Sequence, residues 1–599
     1  MFTYRIPQEL APRIRRGVFV MVPFRRKRIW GICMTQPSHA QELPRGIRDV
    51  IGIRDHVVLT PDELRAIEDL ARLHGIAQAT AAYLALPAPP LTGQRDSHAS
   101  YKSVHARGTP PWIHDALRGP GDTIAIYHTQ DQRLAAIQAS VAQVCANGKT
   151  ALVITPHRAW LRAIAQRCAT LPVIVYDPAR QGKREQWAAY EAARHAPVCL
   201  LTTRAGAFVA PPLLGAIIID LAHEDDHQQW DAHPKYDTRI VTKTTAVQHA
   251  IPRLLLTSAP TAVDWTHAVR RIDLGAPPLN AQMVHLDQFW KSGGTGFLTH
   301  ELRDAITAAL ERRGAVLVLH NRRGRMGRIT CRDCNAMLAC TTCGGALADF
   351  TTEYRCRTCE TAVPISLQCG KCKSPQFLFH GIGTQGVADM LHRAFPDTRI
   401  ARVDREAPEV PAADAQMIVA SERFLTSIAP TFHRPIALVV VLHAERFVRG
   451  DDWRGTEQLL HALRGVAVWS RTWEAPLLVQ TAMPHHPALK ALEGPLTDFY
   501  RTELAERAAL HYPPDTRLLR LDATDAPDAE SLMHLLTARH HGTVLAIDGP
   551  YAYGMVRRHR ITSMLVRMPG DVTDDAITAL VADIPQGWTS ALDPIQLHT

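Results

Sequence analysis

The first fifty residues alternate apolar and polar stretches, with Val18-Phe19-Val20-Met21-Val22 and Ile29-Trp30-Gly31-Ile32-Cys33 as the apolar runs. Short runs of this kind predict the strands of a small β-rich unit. From Pro61 to Leu86, leucines and isoleucines recur at helical spacing and predict a helix. The stretch Pro87 to Gly121 is rich in Pro, Gly, Ser and His and reads as a linker. From Thr123 the pattern changes. Apolar strand-like runs at Thr123–Tyr127, Ala151–Thr155, Val173–Tyr176, Val198–Thr202, Ala216–Asp220 and Arg253–Thr257 alternate with alanine-rich helical segments. That alternation predicts a parallel sheet covered by helices. A second series starts at Ala315–His320 and resumes at Arg399–Val403, Met417–Val419, Ala437–Leu442 and Pro476–Gln480. A final α+β unit is expected from about Thr516 to the end.

The second series is interrupted by a cysteine-rich stretch. Eight of the twelve cysteines form four C-x-x-C pairs: Cys331/Cys334, Cys340/Cys343, Cys356/Cys359 and Cys369/Cys372. Each pair aims two sulfurs at one point, and a tetrahedral zinc takes two pairs, so eight thiolates predict two four-sulfur sites. Asn335, Gly344, Gly345, Gly370 and Lys371 between the pairs are turn formers, as metal knuckles require. A disulfide framework fits poorly, because the N-terminus carries no apolar secretory h-region. Closed all-sulfur sites leave no open coordination position, which predicts structural rather than catalytic zinc. Which pair joins which is not decided by spacing.

Length and composition bound the rest. At 599 residues the length prior is roughly four domains, and 46% hydrophobic with 21% charged residues describes a soluble globular chain. No run approaches the ~18 apolar residues of a membrane span, so a cytoplasmic location is expected. The net charge is +9, and its distribution matters more than its size. Arg5, Arg13, Arg15, Arg16, Arg25, Arg26, Lys27 and Arg28 face a single acid, Glu9, near the N-terminus. A second cluster (Arg322, Arg323, Arg325, Arg328, Arg332) abuts the first knuckle. Such clusters bind polyphosphate backbones with little regard to sequence. Arg16, Arg25, Arg26, Lys27 and Arg28 are the candidate DNA contacts, because they interleave with strand residues and so share a face.

Several stretches resemble the PriA family of replication-restart helicases. Asn321-Arg322-Arg323-Gly324 leads into the first knuckle, and Gly381-Ile382-Gly383-Thr384, Phe395-Pro396 and Arg402-Val403-Asp404-Arg405 follow the last one. Tyr512-Pro513-Pro514 and Gly549-Pro550 match the family's C-terminal region, and Val22-Pro23-Phe24 followed by basic residues matches its 3′-end-binding domain. The resemblance implies an α/β fold with two RecA-like helicase lobes, a two-zinc insertion with four cysteines on each metal, a small β-rich N-terminal domain and an α+β C-terminal domain. The implied units are a 3′-end-binding-like domain at 1–90, a linker at 91–121 with the winged helix reduced or absent, a first lobe at 122–275, a second lobe at 276–328 and 376–500, the zinc module at 329–375 and a C-terminal domain at 501–599. It also implies a nested pairing: Cys331, Cys334, Cys369 and Cys372 outside, Cys340, Cys343, Cys356 and Cys359 inside.

The parts of an ATP-driven motor are eroded. After Thr123–Tyr127, where a phosphate cradle belongs, the chain reads Tyr127-His128-Thr129-Gln130-Asp131-Gln132-Arg133, with neither glycine nor lysine. Gly148-Lys149-Thr150 precedes a strand instead of following one and reads as a helix C-cap. The family's D-E-E-H falls on Asp220-Leu221-Ala222-His223: Asp220 keeps the magnesium-binding carboxylate as a vestige, while Leu221 replaces the glutamate that orients water. The family's arginine-rich motif falls on Gly465-Val466-Ala467-Val468-Trp469-Ser470-Arg471, with Trp469 near an expected arginine, and its G-T-Q on Ala420-Ser421-Glu422. Phe2-Thr3-Tyr4 resembles F-D-Y with Thr3 for the acid, and Arg25 stands where glycine is usual. His223-Glu224-Asp225-Asp226-His227 has the H-E-x-x-H spacing of zinc proteases but follows a strand directly, with no third ligand evident.

The expected protein is therefore a restart protein with no catalytic residues and no ATP hydrolysis, holding two Zn2+. Its expected partners are forks, D-loops and single-stranded DNA, primosome and replicative-helicase-loading proteins, and single-stranded DNA-binding protein. It is expected to be a monomer with no membrane contact. Phe377, Phe379 and Arg357 are candidate contacts on the zinc module. The rival readings are an active 3′–5′ helicase with a non-standard nucleotide site and a zinc-bearing nucleic-acid adaptor.

Overall fold

The computed structural model describes the chain apart from residues 1, 36–45, 74–77, 79–80, 83–85, 87–107, 230–234, 295, 313, 322–325, 332, 335, 337, 339, 341–346, 350–353, 357–360, 364–367, 376, 449–452, 525–527, 557–558 and 595–599. The N-terminal unit is a three-stranded antiparallel sheet in which Val18–Phe24 lies between Lys27–Ile32 and Gly52–Val58. Its period-two pattern sends alternate residues to opposite faces. Val18, Val20 and Val22 pack with Ile14 and Val50 in a core of their own. Phe19, on the opposite face, meets Trp187 of the first lobe edge-to-face at 5.6 Å. The helix Pro61–Leu73 completes this seam: buried Glu63 accepts from Tyr190 Oη and Arg194 Nη1, both at 2.7 Å.

The first lobe is a seven-stranded parallel sheet in the order Arg270–Asp273, Gly121–Ile126, Pro252–Thr257, Leu214–Ile219, Thr150–Ile154, Cys199–Thr202, Val173–Tyr176. Runs such as Leu214–Ile219 are apolar on both faces because helices cover both. The second lobe is a six-stranded parallel sheet, ordered Ala281–His285, Leu477–Thr481, Ile436–Val441, Ala315–Leu319, Met417–Ala420, Ile400–Val403. Its strands divide their side chains by parity: Val316 and Val318 enter a core belonging to this lobe, whereas Ala315, Leu317 and Leu319 join the core that continues into the first lobe. Each fully buried aliphatic contributes about 1.5–3 kcal/mol, so the shared core joins the lobes strongly.

The cysteine module interrupts the second lobe without disturbing it. Met326–Cys331 leads out and Phe377–Ile382 leads back, paired antiparallel to each other from Met326↔Ile382 to Cys331↔Phe377. Leu347–Asp349, Tyr354–Cys356 and Ala362–Val363 extend them into a five-stranded sheet. The insertion thus enters and leaves through neighbouring strands. The C-terminal unit is a four-stranded antiparallel sheet with Thr516–Thr524 inside it, and Lys235 Nζ to Asp522 at 2.8 Å ties it to the first lobe.

The observed fold class is the expected one, an α/β chain of parallel sheets with a cysteine insertion. One boundary differs. The described end of the expected linker 91–121 contains the helix Pro111–Ala116, with Ile113 and Ala116 buried. Proline suits the first turn of a helix, and the apolar positions at helical spacing then dock on the first lobe. The helix expected over Pro61–Leu86 is described as Pro61–Leu73, with much of the remainder outside the described residues. Among the described residues no helix is long and apolar enough to cross a membrane.

Candidate metal centre, nucleotide cleft and nucleic-acid face

Cys331 closes the strand that enters the module, and its N–H bonds Ala336 O at 2.8 Å; Cys369 N–H bonds Ser374 O at 2.8 Å in the same way. Each bond curls the chain around its first cysteine so that the second sulfur turns to the same side. The four sulfurs of Cys331, Cys334, Cys369 and Cys372 lie within 4.8 Å of one another. The Cys331–Cys372 and Cys334–Cys369 separations are 3.4 and 3.5 Å. A metal–sulfur bond of about 2.3 Å in a tetrahedron gives sulfur–sulfur edges of about 3.8 Å, so this set could hold a metal ion. The N–H groups of Cys372 and Lys371 pull the Cys369 thiol down to about 6, while Cys372, despite a bond from Ser374 N–H, is pushed up to about 12 by its neighbouring thiols. These four are the set that the resemblance places outside. Of the inner four, Cys340 and Cys356 are buried, and Cys343 and Cys359 lie outside the described residues. Cys356 N–H nevertheless bonds Thr361 O at 3.0 Å, repeating the curl of the first and last knuckles. Arg357 and the side chains of Phe377 and Phe379 also lie outside the description.

In the cleft, the strand Gly121–Ile126 feeds the helix Gln130–Ala146 directly. Thr129 caps that helix by accepting from Gln132 N–H at 3.2 Å. Gln132 Oε1 reaches back to the N–H groups of His128 (2.8 Å) and Thr129 (3.2 Å). Gln130 N–H donates to Thr472 Oγ1 of the second lobe at 2.9 Å. A helix N-terminus binds phosphate through free N–H groups; here those of His128, Thr129, Gln130 and Gln132 are all taken by side-chain oxygens.

Asp220, expected as the surviving magnesium carboxylate, is instead met from inside the protein. Arg133 Nη1 lies 2.7 Å from both its oxygens, and Arg133 Nε lies 2.7 Å from Gln130 Oε1. Both charged side chains are 0% exposed. The guanidinium stacks over Trp160 at 3.7 Å, Trp160 stacks on Trp469 at 5.9 Å, and Trp469 on Trp473 at 4.8 Å. This ladder runs from the first-lobe carboxylate into the second lobe. Leu221 follows at φ 52°, a left-handed backbone unusual for a non-glycine residue, and is buried against the cleft.

Beside the ladder the lobes share a charge network. Arg454 bridges Asp225 (2.9 Å) of the first lobe and Glu457 (2.7 Å) of the second. Glu457 also accepts Ala262 N–H at 2.6 Å. Burial works against its carboxylate, but Arg507 and Arg454 outweigh it and hold it well below the usual range. Among the described residues, hollows of about 30 Å³ at this boundary are lined by His223, Glu224, Glu422 and His461 among others. His223 and His227 do not share an α-helix: His227 sits in a 3₁₀ turn and its Nε2 faces Asp220 O at 2.9 Å. Burial pushes them down to about 3 and about 4, so both are neutral packing residues at ordinary pH. Gly148 follows the end of the helix Gln130–Ala146 at φ 71°, the left-handed geometry of a helix terminus.

On the N-terminal unit, Arg25 and Arg26 form the turn of the hairpin whose last pair is Phe24↔Lys27, and Arg25, Arg26, Lys27 and Arg28 are all exposed there. Arg25 adopts φ 54°, a left-handed backbone that favours glycine, and Arg48 Nη1 fixes it by donating to Arg25 O at 2.9 Å. Phe2 leans edge-on against Phe24 at 5.0 Å beside the turn. Arg16 is not part of this tip arrangement; it pairs with Glu68 at 2.7 Å. The expected second cluster lies outside the described residues, except for the backbone of Arg328 within its strand.

Arg133 and the tryptophan ladder escaped the sequence reading. The faint signal was an arginine in the first turn of the helix that follows the missing phosphate loop, together with Trp469 in a motif built of arginines.

Residues 1–87 match the model of the PriA 3′ DNA-binding domain (3′BD). Three replication restart proteins named PriA are similar over longer spans. That of Synechocystis is 26% identical over 54% of this chain and 42% of its own. The Bacillus subtilis protein is 25% identical over 70% and 56%, and that of Treponema pallidum 27% identical over 66% and 64%. The matched region spans about half the length of these relatives. Yeast Dbp5 bound to RNA and ADP BeF3 superposes on 76% of this chain and 98% of its own at a TM-score of 0.32 and 10% identity, below the level at which a shared fold follows. The chain is thus similar to the PriA 3′ DNA-binding domain over residues 1–87 and to PriA proteins over longer spans.

Proposed function

We propose that this chain is a replication-restart protein that binds branched DNA at stalled forks and starts primosome assembly without hydrolysing ATP. The observation that carries the second half of this reading is the fully buried pair of Arg133 with Asp220 at 2.7 Å. Phosphoryl transfer needs a backbone cradle, a cation on the carboxylate and a cleft that admits the nucleotide. Here the N–H groups of His128, Thr129, Gln130 and Gln132 are taken, Arg133 supplies the positive charge on Asp220, and the hollows lined by described residues there, about 30 Å³ each, are an order of magnitude below a ligand pocket of roughly 300 Å³. DNA binding is assigned to the 3′-end-binding-like domain, with Arg25, Arg26, Lys27 and Arg28 on phosphate. Two Zn2+ are assigned to Cys331, Cys334, Cys369, Cys372 and to Cys340, Cys343, Cys356, Cys359; all-sulfur coordination makes them structural, holding the module as a platform for helicase-loading proteins.

The test is DNA-stimulated ATP hydrolysis by the zinc-loaded chain. Turnover should equal the protein-free background and stay there in Asp220→Ala. Turnover above background that vanishes in that variant would overturn the reading. Fork affinity should fall steeply with salt, and Arg25→Ala/Arg26→Ala/Arg28→Ala should flatten the log–log salt slope by about 2.7 on duplex arms. An unchanged slope would remove the hairpin tip from the interface.

A further inference from the structure

A second basic surface lies on the outer edge of the first lobe, built from the helix Pro111–Ala116 and the edge strand Arg270–Asp273. Trp112, Asp115, Arg118, Arg270, Arg271 and Ile272 line an open hollow of about 550 Å³ there. We infer that this hollow binds an unpaired DNA strand, with the guanidinium groups on its phosphates and Trp112 against a base.

Three observations support this. The hollow carries three arginines against one carboxylate, and all three arginines are exposed. Two guanidinium groups are held by backbone carbonyls, which orient them without cancelling their charge. Arg270 Nη1 donates to Asp115 O at 2.8 Å; Arg271 Nε donates to Trp265 O at 2.9 Å, and its guanidinium stacks 4.6 Å above the Trp265 ring. Arg118 has no carboxylate partner among the described residues. The indole of Trp112 is half-buried against the lobe core and half-exposed to the hollow. Indole and guanidinium planes beside oriented positive charge suit unstacked bases and a flexible backbone better than a duplex, whose bases are already stacked. Charged edge strands also block strand pairing, but that role requires neither a hollow nor an indole nor guanidinium groups fixed by carbonyls. The site is separate from the hairpin tip and does not depend on whether ATP is hydrolysed.

The experiment measures binding of a fluorescein-labelled oligo-dT and of a duplex of equal length to the full zinc-loaded chain, in a background of Arg25→Ala/Arg26→Ala/Arg28→Ala so that the hairpin tip contributes nothing. Adding Arg118→Ala, Arg270→Ala and Arg271→Ala should weaken oligo-dT about tenfold and flatten its log–log salt slope by about 2, with the three Lys replacements retaining most of the slope. In the unaltered chain, an oligomer carrying 5-iodouracil should photocrosslink to Trp112, read by mass spectrometry; this arm decides if the triple variant loses its melting transition. Unchanged oligo-dT affinity and slope, or crosslinks confined to other residues, would overturn the site. Equal losses on duplex and single strand would overturn the assignment to an unpaired strand.

Discussion

The cysteine module and the cleft between the lobes are each organised around groups that ordinarily hold a cation. In the module, four sulfurs converge on one another within 4.8 Å, and the backbone curls at Cys331 and Cys369 only to aim them. In the cleft, the carboxylate of Asp220 is answered by Arg133 at 2.7 Å, and the N–H groups of the neighbouring helix by Thr129, Gln132 and Thr472. The first arrangement is a set that could hold a metal ion; the second is completed by the chain itself. The cleft is built as a lobe–lobe joint, since the same arginine carries a stack of three tryptophans across the boundary. A motor requires its lobes to open and close around the nucleotide; a joint built from a shared core, a ring ladder and the Asp225–Arg454–Glu457 network opposes that motion.

The comparison breaks most readily at the metal. Chelation should remove both proposed zincs per chain, and Cys369→Ser one, by metal analysis, and either should expose the 331–372 segment to protease. Structural zinc contributes about 10–16 kcal/mol in small knuckle peptides. The main melting transition of the lobes should move little; a collapse of that transition would mean that the module also holds the lobes. Next comes the internal pair. Arg133→Ala leaves Asp220 charged and buried and should cost about 3–5 kcal/mol in urea denaturation, while Arg133→Met/Asp220→Leu should recover most of that loss. If Arg133→Ala is neutral, Asp220 is not held by the arginine and the cleft resembles the module after all.

Acid should loosen the cleft by a smaller amount. Burial holds His223 at about 3, His227 at about 4 and His461 below its ordinary value. The folded chain therefore keeps them neutral, while the unfolded chain takes up protons below about 6.5. Stability present above that value is lost as pH falls, about 2 kcal/mol each for His223 and His227 by pH 5, with His461 acting in the same direction. His157 offsets part of the loss: burial lowers it, but Glu224 and Asp226 carry it above its ordinary value, and its contribution grows in acid. Fluorescence of the tryptophan ladder, followed in urea at pH 7 and pH 5, measures the difference. The smallest effect is at the hairpin. Arg25→Gly should relieve a left-handed backbone and stabilise the chain by about 1 kcal/mol, while flattening the salt slope for duplex DNA by about 0.9. A destabilised variant would show that Arg48 and Phe24 hold Arg25 in place at no net cost.

The parts legible in the chain were local ones. Continuous apolar runs such as Ile436–Val441 and Leu214–Ile219 announce strands covered on both faces, and their ends lay within two residues of the expected ones. The knuckles were legible because two cysteines three apart need only one turn to converge. The helix Pro111–Ala116 was hidden by prolines and glycines around it, although Ile113 and Ala116 already stood at helical spacing.

What the chain determined by itself, then, is whatever neighbouring residues decide: strands, helices, knuckles, the absence of a glycine cradle, and a basic hairpin. What only the tertiary structure decided is which distant residues meet. Asp220 reads in sequence as a surviving metal ligand, and becomes one half of an internal pair only because a parallel sheet sets its strand near the helix that carries Arg133, 87 residues earlier. Trp469 reads as a damaged arginine motif, and becomes a joint only when the second lobe lays it on Trp160. Burial makes these contacts strong, and burial is a property of the packed sheets that no single stretch of chain contains.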